Sequence, residues 1–279
     1  MGLRVNTNTA ALNAQFQLRD SMKGATKSME RLSSGSRINK ASDDAAGLAI
    51  SENIRANIRG LKQVDRNAQD GISMTQIAEG ALNQVANILV RLREISIQSA
   101  SDTIGDRERK LVNKEYEQLL AEVDRIAGAT EYNGVKLLAG VGDRIDFQIN
   151  TRNSDAVDRI SFDPTQADVS LVSLGLNQSD VTDKYNAQDS IAQLDSAIAS
   201  VSNLRAAFGS VQSRLMATTE NILTSIENLS AANSRIRDTD MAEESSEMAK
   251  KNLMLQAGTS VLAQANQQPG QALALLNKG

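Results

Sequence analysis

Apolar residues recur along most of this chain at steps of three and four, the spacing that places side chains on one face of an α-helix. Near the N-terminus this pattern runs from residue 10 to residue 32 through Ala11, Ala14, Leu18, Met22, Ala25, Met29 and Leu32. Gly35 predicts the end of this first helix, because glycine readily adopts the left-handed conformation of a C-terminal cap.

A second helix is predicted over about 45–100. Ser42 is a residue type that caps helix N-termini, and Asp43 and Asp44 place negative charge near the positive end of the helix dipole. From Ile54 to Leu92 the apolar residues recur at an average step of about 3.5, the coiled-coil period. Further isoleucines widen the stripe, which predicts a helix that packs against more than one neighbour.

A third helix is predicted over about 106–128, followed by a turn at Asn133-Gly134. The pattern then changes, since apolar and polar residues alternate in the segments IDFQIN and RISF, which turn residues separate. Alternation of this kind is typical of strands, so the region of about 135–175 is predicted to contain a small β-hairpin.

The helical period returns over about 190–235 and again from Met241, with Asp238, Thr239 and Asp240 between the two segments as capping residues. The outline is therefore a short helix and a long helix at each end of the chain, with a polar break between them. Each terminal helix carries too little apolar surface to be stable alone in water, so the two are predicted to order on association. The fold class is mainly α, with long helices.

The composition lacks the residue types on which many catalytic mechanisms depend. The chain has no Cys and no His, which excludes imidazole catalysis, thiolate nucleophiles and the usual zinc motifs. Adjacent carboxylates such as Glu243 and Glu244 do not face each other on a helix. We therefore expect no enzyme, no cofactor and no metal site.

Charge and hydropathy limit the classes of partner that we expect for this chain. The net charge is −4 with acids and bases mixed, so no basic stripe indicates nucleic acid or anionic lipid. No apolar run is long enough to span a membrane, and the N-terminal residues lack the pattern of a signal peptide. We expect no membrane insertion and, for an exported protein, a route without a signal peptide.

Several segments resemble the conserved regions of bacterial flagellin, the subunit of the flagellar filament. They are ERLSSGSRINKASDDAAGLAISENIRANIRGL at 30–61, GISMTQIAEGALNQVANILVRLREISIQSASDT, EVDRIAGATEYNGVKLL and the C-terminal SRIRDTDMAEESSEMAKKNLMLQAGTSVLAQANQQPGQALALL. They occur in the family's order and cover both ends and most of the middle, so the resemblance is specific. The short segment after Leu138 implies a short form without the variable outer domains.

The resemblance implies two layers, an inner coiled coil of residues 1–44 and 236–279 and an outer core domain of residues 45–235. The predicted coiled-coil and subunit contacts are Leu18, Met22, Met29, Leu32, Met248, Leu255 and Leu262. The segment 33–44 resembles the flagellin spoke between the layers, with Arg37, Lys40, Asp43 and Asp44 as predicted contacts. An ordinary capped helix–loop–helix connection remains an alternative for this segment, as packing within one subunit does for the terminal stripes.

In function, the resemblance implies a secreted structural subunit that polymerises into the helical filament of the bacterial flagellum, the propeller for swimming motility. It also implies type III export, an export chaperone, and contacts with the cap and the hook–filament junction proteins. A surface for Toll-like receptor five, used in innate immune recognition, aligns with the motif VRLREI and comprises Arg91, Ile95 and Glu115. An ordinary solvated helix face is the alternative for Arg91 and Glu115.

Two other classes of protein compete with this interpretation. A hook–filament junction protein shares flagellin-like ends, but its middle usually departs further from flagellin than RLREISIQSA and EYNGVKLL do. A soluble coiled-coil signalling module matches the period of about 3.5 residues. It leaves the alternating stretch at 145–162 unexplained.

Overall fold

A computed structural model of the chain describes residues 7–155 and 157–276. The helices in these ranges are α1 (Thr9–Ser34), α2 (Ala45–Ser99), α3 (Asp106–Ala129), α4 (Lys184–Arg237) and α5 (Met241–Leu276), with a short 3-10 helix at Pro164–Gln166. The strands are β1 (Glu131–Tyr132), β2 (Val135–Lys136), β3 (Ile145–Gln148) and β4 (Arg159–Phe162). The predicted mainly-α class, with a small β-hairpin region, is confirmed.

Local sequence explains where the first helix begins and ends. The Asn8 side chain accepts a hydrogen bond from the Ala11 amide at 3.1 Å, which satisfies one of the free donors at the start of α1. At the other end Gly35 has a φ of 67°, the left-handed conformation predicted for it. Capping residues therefore fix both ends of α1.

The helix α4 begins at Lys184, ahead of residue 190 where the apolar period starts. Its first turns carry polar residues such as Lys184 and Asn186, and Ala187 is the first buried member. An apolar stripe marks only the part of a helix that packs against neighbours. It therefore could not predict the polar first turns of α4.

The strands form two separate antiparallel pairs. The pair β1–β2 closes around Asn133 and Gly134, whose φ values of 49° and 81° suit an Asn-Gly hairpin turn. In the pair β3–β4, Phe147 lies opposite Ile160. This second pair is the hairpin that the alternating pattern predicted.

The chain divides into two compact units, each described here by itself. The terminal unit comprises Met1–Ala56 with Asn228–Gly279, and the central unit comprises Asn57–Glu227. The division falls within α2 and α4, so both long helices contribute to both units.

The central unit has a contiguous apolar core formed by α2, α3, α4 and the segments after α3. Its fully buried side chains include Leu82, Leu89, Leu92, Tyr116, Val123, Leu137, Leu176, Leu194 and Phe208. Phe162 of β4 packs on Phe208 with ring centroids 4.7 Å apart. Each such side chain contributes about 1.5–3 kcal/mol when it leaves water, so this cluster is the main apolar source of stability in the unit.

Buried polar side chains attach the irregular segments to this core. The Arg109 guanidinium is 7 % exposed and donates to the carbonyl oxygens of Ser99 and Ser101 and to the Asp106 carboxylate, each at 2.8 Å. The Tyr116 hydroxyl lies 2.8 Å from Ser179 Oγ. These bonds fix the turn between α2 and α3 and the segment that precedes α4.

Candidate assembly surface

The helices α1 and α5 pack against each other in antiparallel orientation. Asn8 donates to the Ala265 carbonyl oxygen at 2.7 Å, and at the other end Arg31 Nη1 lies 3.3 Å from Glu244 Oε2. Asp240 directly precedes α5, and its carboxylate accepts from the Ala242 amide in the first turn at 2.8 Å. Two distant parts of the sequence thus form one helix pair, as the similar terminal patterns predicted.

The two facing sides of this pair are lined mainly by small residues. The buried members are Ala11, Ser21, Ser28 and Ala265, and we call this line of contact the seam. A β-carbon added to Gly258 would lie 3.0 Å from Leu18 Cδ1, and one added to Gly24 would lie 3.0 Å from Lys251 Cε. The glycines therefore allow close approach of the two helices.

The structure places the predicted coiled-coil residues in two different environments. Five of them are partly buried: Leu18, Leu32, Met248, Leu255 and Leu262. The other two, Met22 and Met29, are 56 % and 63 % exposed and lie outside the seam. Ser21 and Ser28 occupy the inward positions instead, which an apolar pattern cannot reveal because it gives serine no weight.

The two polar breaks of the sequence pair with each other. The Arg37 amide donates to the Arg237 carbonyl oxygen at 2.6 Å, and the Thr239 amide donates to the Gly35 carbonyl oxygen at 3.0 Å. Arg37 Nη2 also donates to the Ile236 carbonyl oxygen at 2.9 Å. We call this short ladder of residues 35–37 and 237–239 the clasp.

Side-chain contacts attach the rest of the segment to the end of α1. Lys27 Nζ lies 2.7 Å from Asp43 Oδ1, and Lys40 Nζ lies 2.9 Å from Glu30 Oε1. The Lys27 ammonium, and after it the Lys40 amide, lower the pKa of the Asp43 carboxyl from 3.8 to about 2. This carboxylate stays charged at neutral pH and holds the segment against the helix.

One capping prediction is wrong. The N-cap of α2 is Asp44 and not Ser42, since Asp44 Oδ1 accepts from the Gly47 amide at 2.8 Å. A β-carbon at Gly47 would collide with Asp44 Oδ2 and would lie 2.9 Å from Ile38 Cδ1, so a larger residue there would displace the capping carboxylate. The sequence pattern also did not predict the burial of Ile38, which is 2 % exposed within an otherwise polar segment.

All four predicted spoke residues thus have partners within the chain. Arg37 belongs to the clasp, Lys40 and Asp43 contact α1, and Asp44 caps α2. These contacts match the alternative of a locally stabilised connection. A further contact of the same side chains with other subunits stays a prediction.

The predicted receptor residues do not share one surface. Arg91 Nη2 lies 2.9 Å from Glu115 Oε1, with both side chains about half exposed, so these two are neighbours on the faces of α2 and α3. Ile95, however, is 1 % exposed. Its assignment to a surface is wrong, because it lies on the side of α2 that faces the core, next to Leu92 and Ser96.

Two general findings bear on the class of protein. Among residues 7–155 and 157–276, no three acidic side chains converge as a metal site would require. No helix in the described part of the chain combines the length and the apolar character needed to cross a bilayer. The terminal helix pair and the clasp are therefore the features from which a function must be argued.

Comparison with known proteins decides the family. The profile of the bacterial flagellin N-terminal helical region matches residues 5–143, and that of the C-terminal helical region matches residues 191–276. A flagellin of Halalkalibacterium halodurans is 44 % identical over 272 residues, covering 98 % of this chain and 99 % of that protein. The chain belongs to the bacterial flagellin family. Flagellins are structural subunits of the flagellar filament, which serves motility.

Other relatives give the same result. Flagellin of Bacillus subtilis is 44 % identical, with 98 % of this chain and 100 % of that protein covered. A crystal structure of Bacillus cereus flagellin is 31 % identical, has a TM-score of 0.51 and covers 60 % of this chain and 94 % of that one. The end-to-end match with the flagellins of Halalkalibacterium halodurans and Bacillus subtilis confirms a short-form flagellin.

A structure from Vibrio parahaemolyticus described as a flagellar hook-associated protein has a TM-score of 0.54 at 15 % identity. It covers 70 % of this chain and 100 % of that chain. At this identity the likeness concerns the fold alone. The identity to flagellins over the whole chain therefore favours the flagellin interpretation over the alternative of a junction protein.

Proposed function

We propose that the antiparallel pair of α1 and α5 is the assembly element of this filament subunit, and that copies add to one another through its outer faces. The observation that carries this proposal is a set of large apolar side chains that point away from the seam. They are Leu12 (45 % exposed), Phe16 (63 %), Met22 (56 %), Met29 (63 %), Leu253 (66 %), Met254 (44 %) and Val261 (57 %). Such a concentration on one helix pair is typical of a protein–protein contact surface.

The distribution of residue types between the seam and the outer faces supports the same proposal. The seam is lined by alanine and serine, which bury little apolar surface, whereas Phe16, Met29 and Leu253 remain in solvent. Covering one such side chain contributes about 1.5–3 kcal/mol. Contacts with other copies of the chain therefore add apolar stabilisation that α1 and α5 do not obtain from each other.

In this proposal the residues 1–44 and 236–279 form the inner layer of the filament, and residues 45–235 form the outer core domain. The contacts within and between subunits involve Leu18, Met22, Met29, Leu32, Met248, Leu255 and Leu262. One face of a subunit contacts a different face of the next, with a rotation that does not close a ring, so the arrangement gives an open helical polymer. The flexible methionine side chains suit alternative packings of the subunits.

The proposal also includes how the subunit is exported and where it resides. The protein is exported through the flagellar type III apparatus, with a chaperone before export and cap and junction proteins afterwards, and it resides in the extracellular filament. The lack of cysteine supports this route, because folding after export requires no disulfide. It performs no catalysis, in keeping with the absence of histidine and cysteine.

Recognition by Toll-like receptor five is proposed only for the exposed pair of Arg91 and Glu115. The bond between their side chains, at 2.9 Å, presents both charges on neighbouring helices. Ile95, which is 1 % exposed and belongs to the core of the central unit, is not part of the proposed receptor surface.

Seeded polymerisation tests the assembly element. The variant Phe16→Ser/Leu253→Ser removes two exposed apolar side chains, and Gln17→Ser/Gln256→Ser changes neighbouring exposed polar residues on the same helices as the control. We expect the first variant to elongate filament seeds at least about tenfold more slowly, equivalent to about 1.4 kcal/mol, and the control to elongate normally. Filament length is measured by electron microscopy.

Two outcomes contradict the proposal in different ways. Normal elongation by Phe16→Ser/Leu253→Ser would place the subunit contacts elsewhere. An unmodified chain that stays monomeric with seeds and precipitant would remove the assembly function itself.

A further inference from the structure

Four methionine side chains in the described part of the terminal unit are exposed to solvent. They are Met22 (56 % exposed), Met29 (63 %), Met241 (53 %) and Met254 (44 %). Methionine is normally among the buried residues, and Met74 in the central unit is only 2 % exposed. The terminal unit thus presents thioethers to solvent at several points of one helix pair.

The composition of the chain makes these thioethers chemically prominent. The sequence contains no cysteine, histidine or tryptophan, so the side chains that usually react first with oxidants are missing. A hydroperoxide oxidises a thioether directly. With hydrogen peroxide, the sulfur lone pair attacks one oxygen and forms an S–O bond while the O–O bond breaks. The departing hydroxide takes up the proton that the transferred oxygen loses, so that the sulfur is oxidised by two electrons to a sulfoxide and the peroxide is reduced to water.

We propose that Met22, Met29, Met241 and Met254 form an oxidation site for hydroperoxides that is open in the free subunit and closed in the filament, and that sulfoxide formation stops subunit addition. The proposal rests on the assembly element described above, because Met22, Met29 and Met254 belong to its exposed apolar side chains and Met241 is exposed at the start of α5 in the same helix pair. It adds a chemical state of the subunit that determines whether assembly proceeds.

Geometry explains why oxidation acts on assembly. Met22 and Met29 are seven residues apart on α1, so they lie on one face, two turns from each other. A sulfoxide replaces an apolar sulfur by a polar S–O group, which disrupts a methionine-rich contact. Since these side chains do not line the seam, the oxidised subunit keeps its own fold.

The reversibility of the reaction adds a second readout. Methionine sulfoxide reductases return the sulfoxide to the thioether. An effect of peroxide through these residues must therefore be undone by the reductases, whereas damage to the backbone is not.

The experiment treats free subunits and assembled filaments with hydrogen peroxide and measures the oxidation of each methionine by peptide mass spectrometry. We expect oxygen addition at all four residues in the free subunit, protection of the same four in the filament, and no addition at buried Met74. Met216, 56 % exposed in the central unit, is the matched exposed residue outside the site.

Seeded elongation then measures the consequence. After peroxide, the unmodified chain and Met216→Leu should both elongate at least about tenfold more slowly, and both should recover after treatment with MsrA and MsrB reductases. The variant Met22→Leu/Met29→Leu/Met241→Leu/Met254→Leu should elongate equally well before and after peroxide. Leucine is close to methionine in volume and does not form a sulfoxide.

Unchanged elongation by the oxidised chain would overturn the proposal, as would equal oxidation of the four residues in filaments. If the fourfold leucine variant elongates poorly before any treatment, the reductase arm with Met216→Leu decides, since failure to recover would exclude reversible oxidation at the site. Failure of the untreated, unmodified chain to elongate would instead count against the assembly function.

Discussion

The backbone amide of Arg37 donates to the carbonyl oxygen of Arg237 at 2.6 Å, which joins the polar break after α1 to the polar break before α5. Together with the bond from Thr239 to Gly35, this contact makes the two breaks one structural element. A change on one side of the clasp should therefore be felt on the other.

The first prediction concerns Gly35→Val. With a φ of 67°, this residue occupies the left-handed region, where a β-branched side chain is strained by about 1–2 kcal/mol. Hydrogen exchange of the Arg37 and Thr239 amides should become faster together. Gly209→Ala, which places a methyl group in open space, is the control and should leave both amides unchanged. Faster exchange at Arg37 alone would contradict a shared clasp.

The second prediction follows from the low pKa of Asp43. A carboxyl whose folded pKa lies below its unfolded value contributes stability above the unfolded value, and loses that contribution as the pH falls. The contact with Lys27 should therefore persist at neutral pH and weaken between about 3.8 and about 2. An NMR titration should find the Asp43 carboxyl near pH 2, and Lys27→Met should move it towards 3.8. Lys23→Met is the matched control, and an equal shift in both variants would exclude Lys27 as the cause.

The third prediction tests the buried guanidinium of Arg109. Arg109→Met leaves the carbonyl oxygens of Ser99 and Ser101 without their donor, so the free energy of unfolding should fall by about 2–4 kcal/mol. Arg107→Met, at an exposed position on the same helix, should change it by less than about 0.5 kcal/mol. Urea denaturation followed by circular dichroism measures both. Similar losses in the two variants would show that the bonds of Arg109 contribute little.

The fourth prediction concerns the hydroxyl pair of Tyr116 and Ser179, 2.8 Å apart and buried. Tyr116→Phe and Ser179→Ala should each lower the free energy of unfolding by about 1 kcal/mol, and the double variant should lose less than the sum. Tyr185→Phe, at a residue 77 % exposed, serves as control. Strict additivity in the double-mutant cycle would mean that the two hydroxyls do not interact.

Much of the fold could be predicted because apolar periodicity and caps are local signals. Gly35 ends α1 where glycine predicts, and Asn133-Gly134 forms the turn that this dipeptide favours. The pairing of the terminal helices followed from their shared lack of apolar surface. The cap and the turn depend on residues that are close together in the sequence, and the pairing was inferred from the composition of each terminal helix by itself.

The parts that could not be predicted depend on three-dimensional packing. The seam uses Ser21 and Ser28 because two helices that approach closely have room only for small side chains, whatever their polarity. Ile95 resembles a surface residue by alignment, but the rotation of α2 against its neighbours buries it. The clasp is mainly a backbone contact between distant segments. Since backbone hydrogen bonds do not depend on particular side chains, the residue types there do not predict it.

The bond from Asn8 to the Ala265 carbonyl oxygen has a practical consequence for labelling. Because α1 and α5 are antiparallel, a fluorescent label on the first turn of α1 and one near Ala265 of α5 lie at the same end of the helix pair. Exchanging one of these two labelling positions for the other therefore does not relieve a steric conflict at that end. The exposed turn between β3 and β4, at Thr151 to Ser154 in the central unit, is the better insertion point for a small epitope.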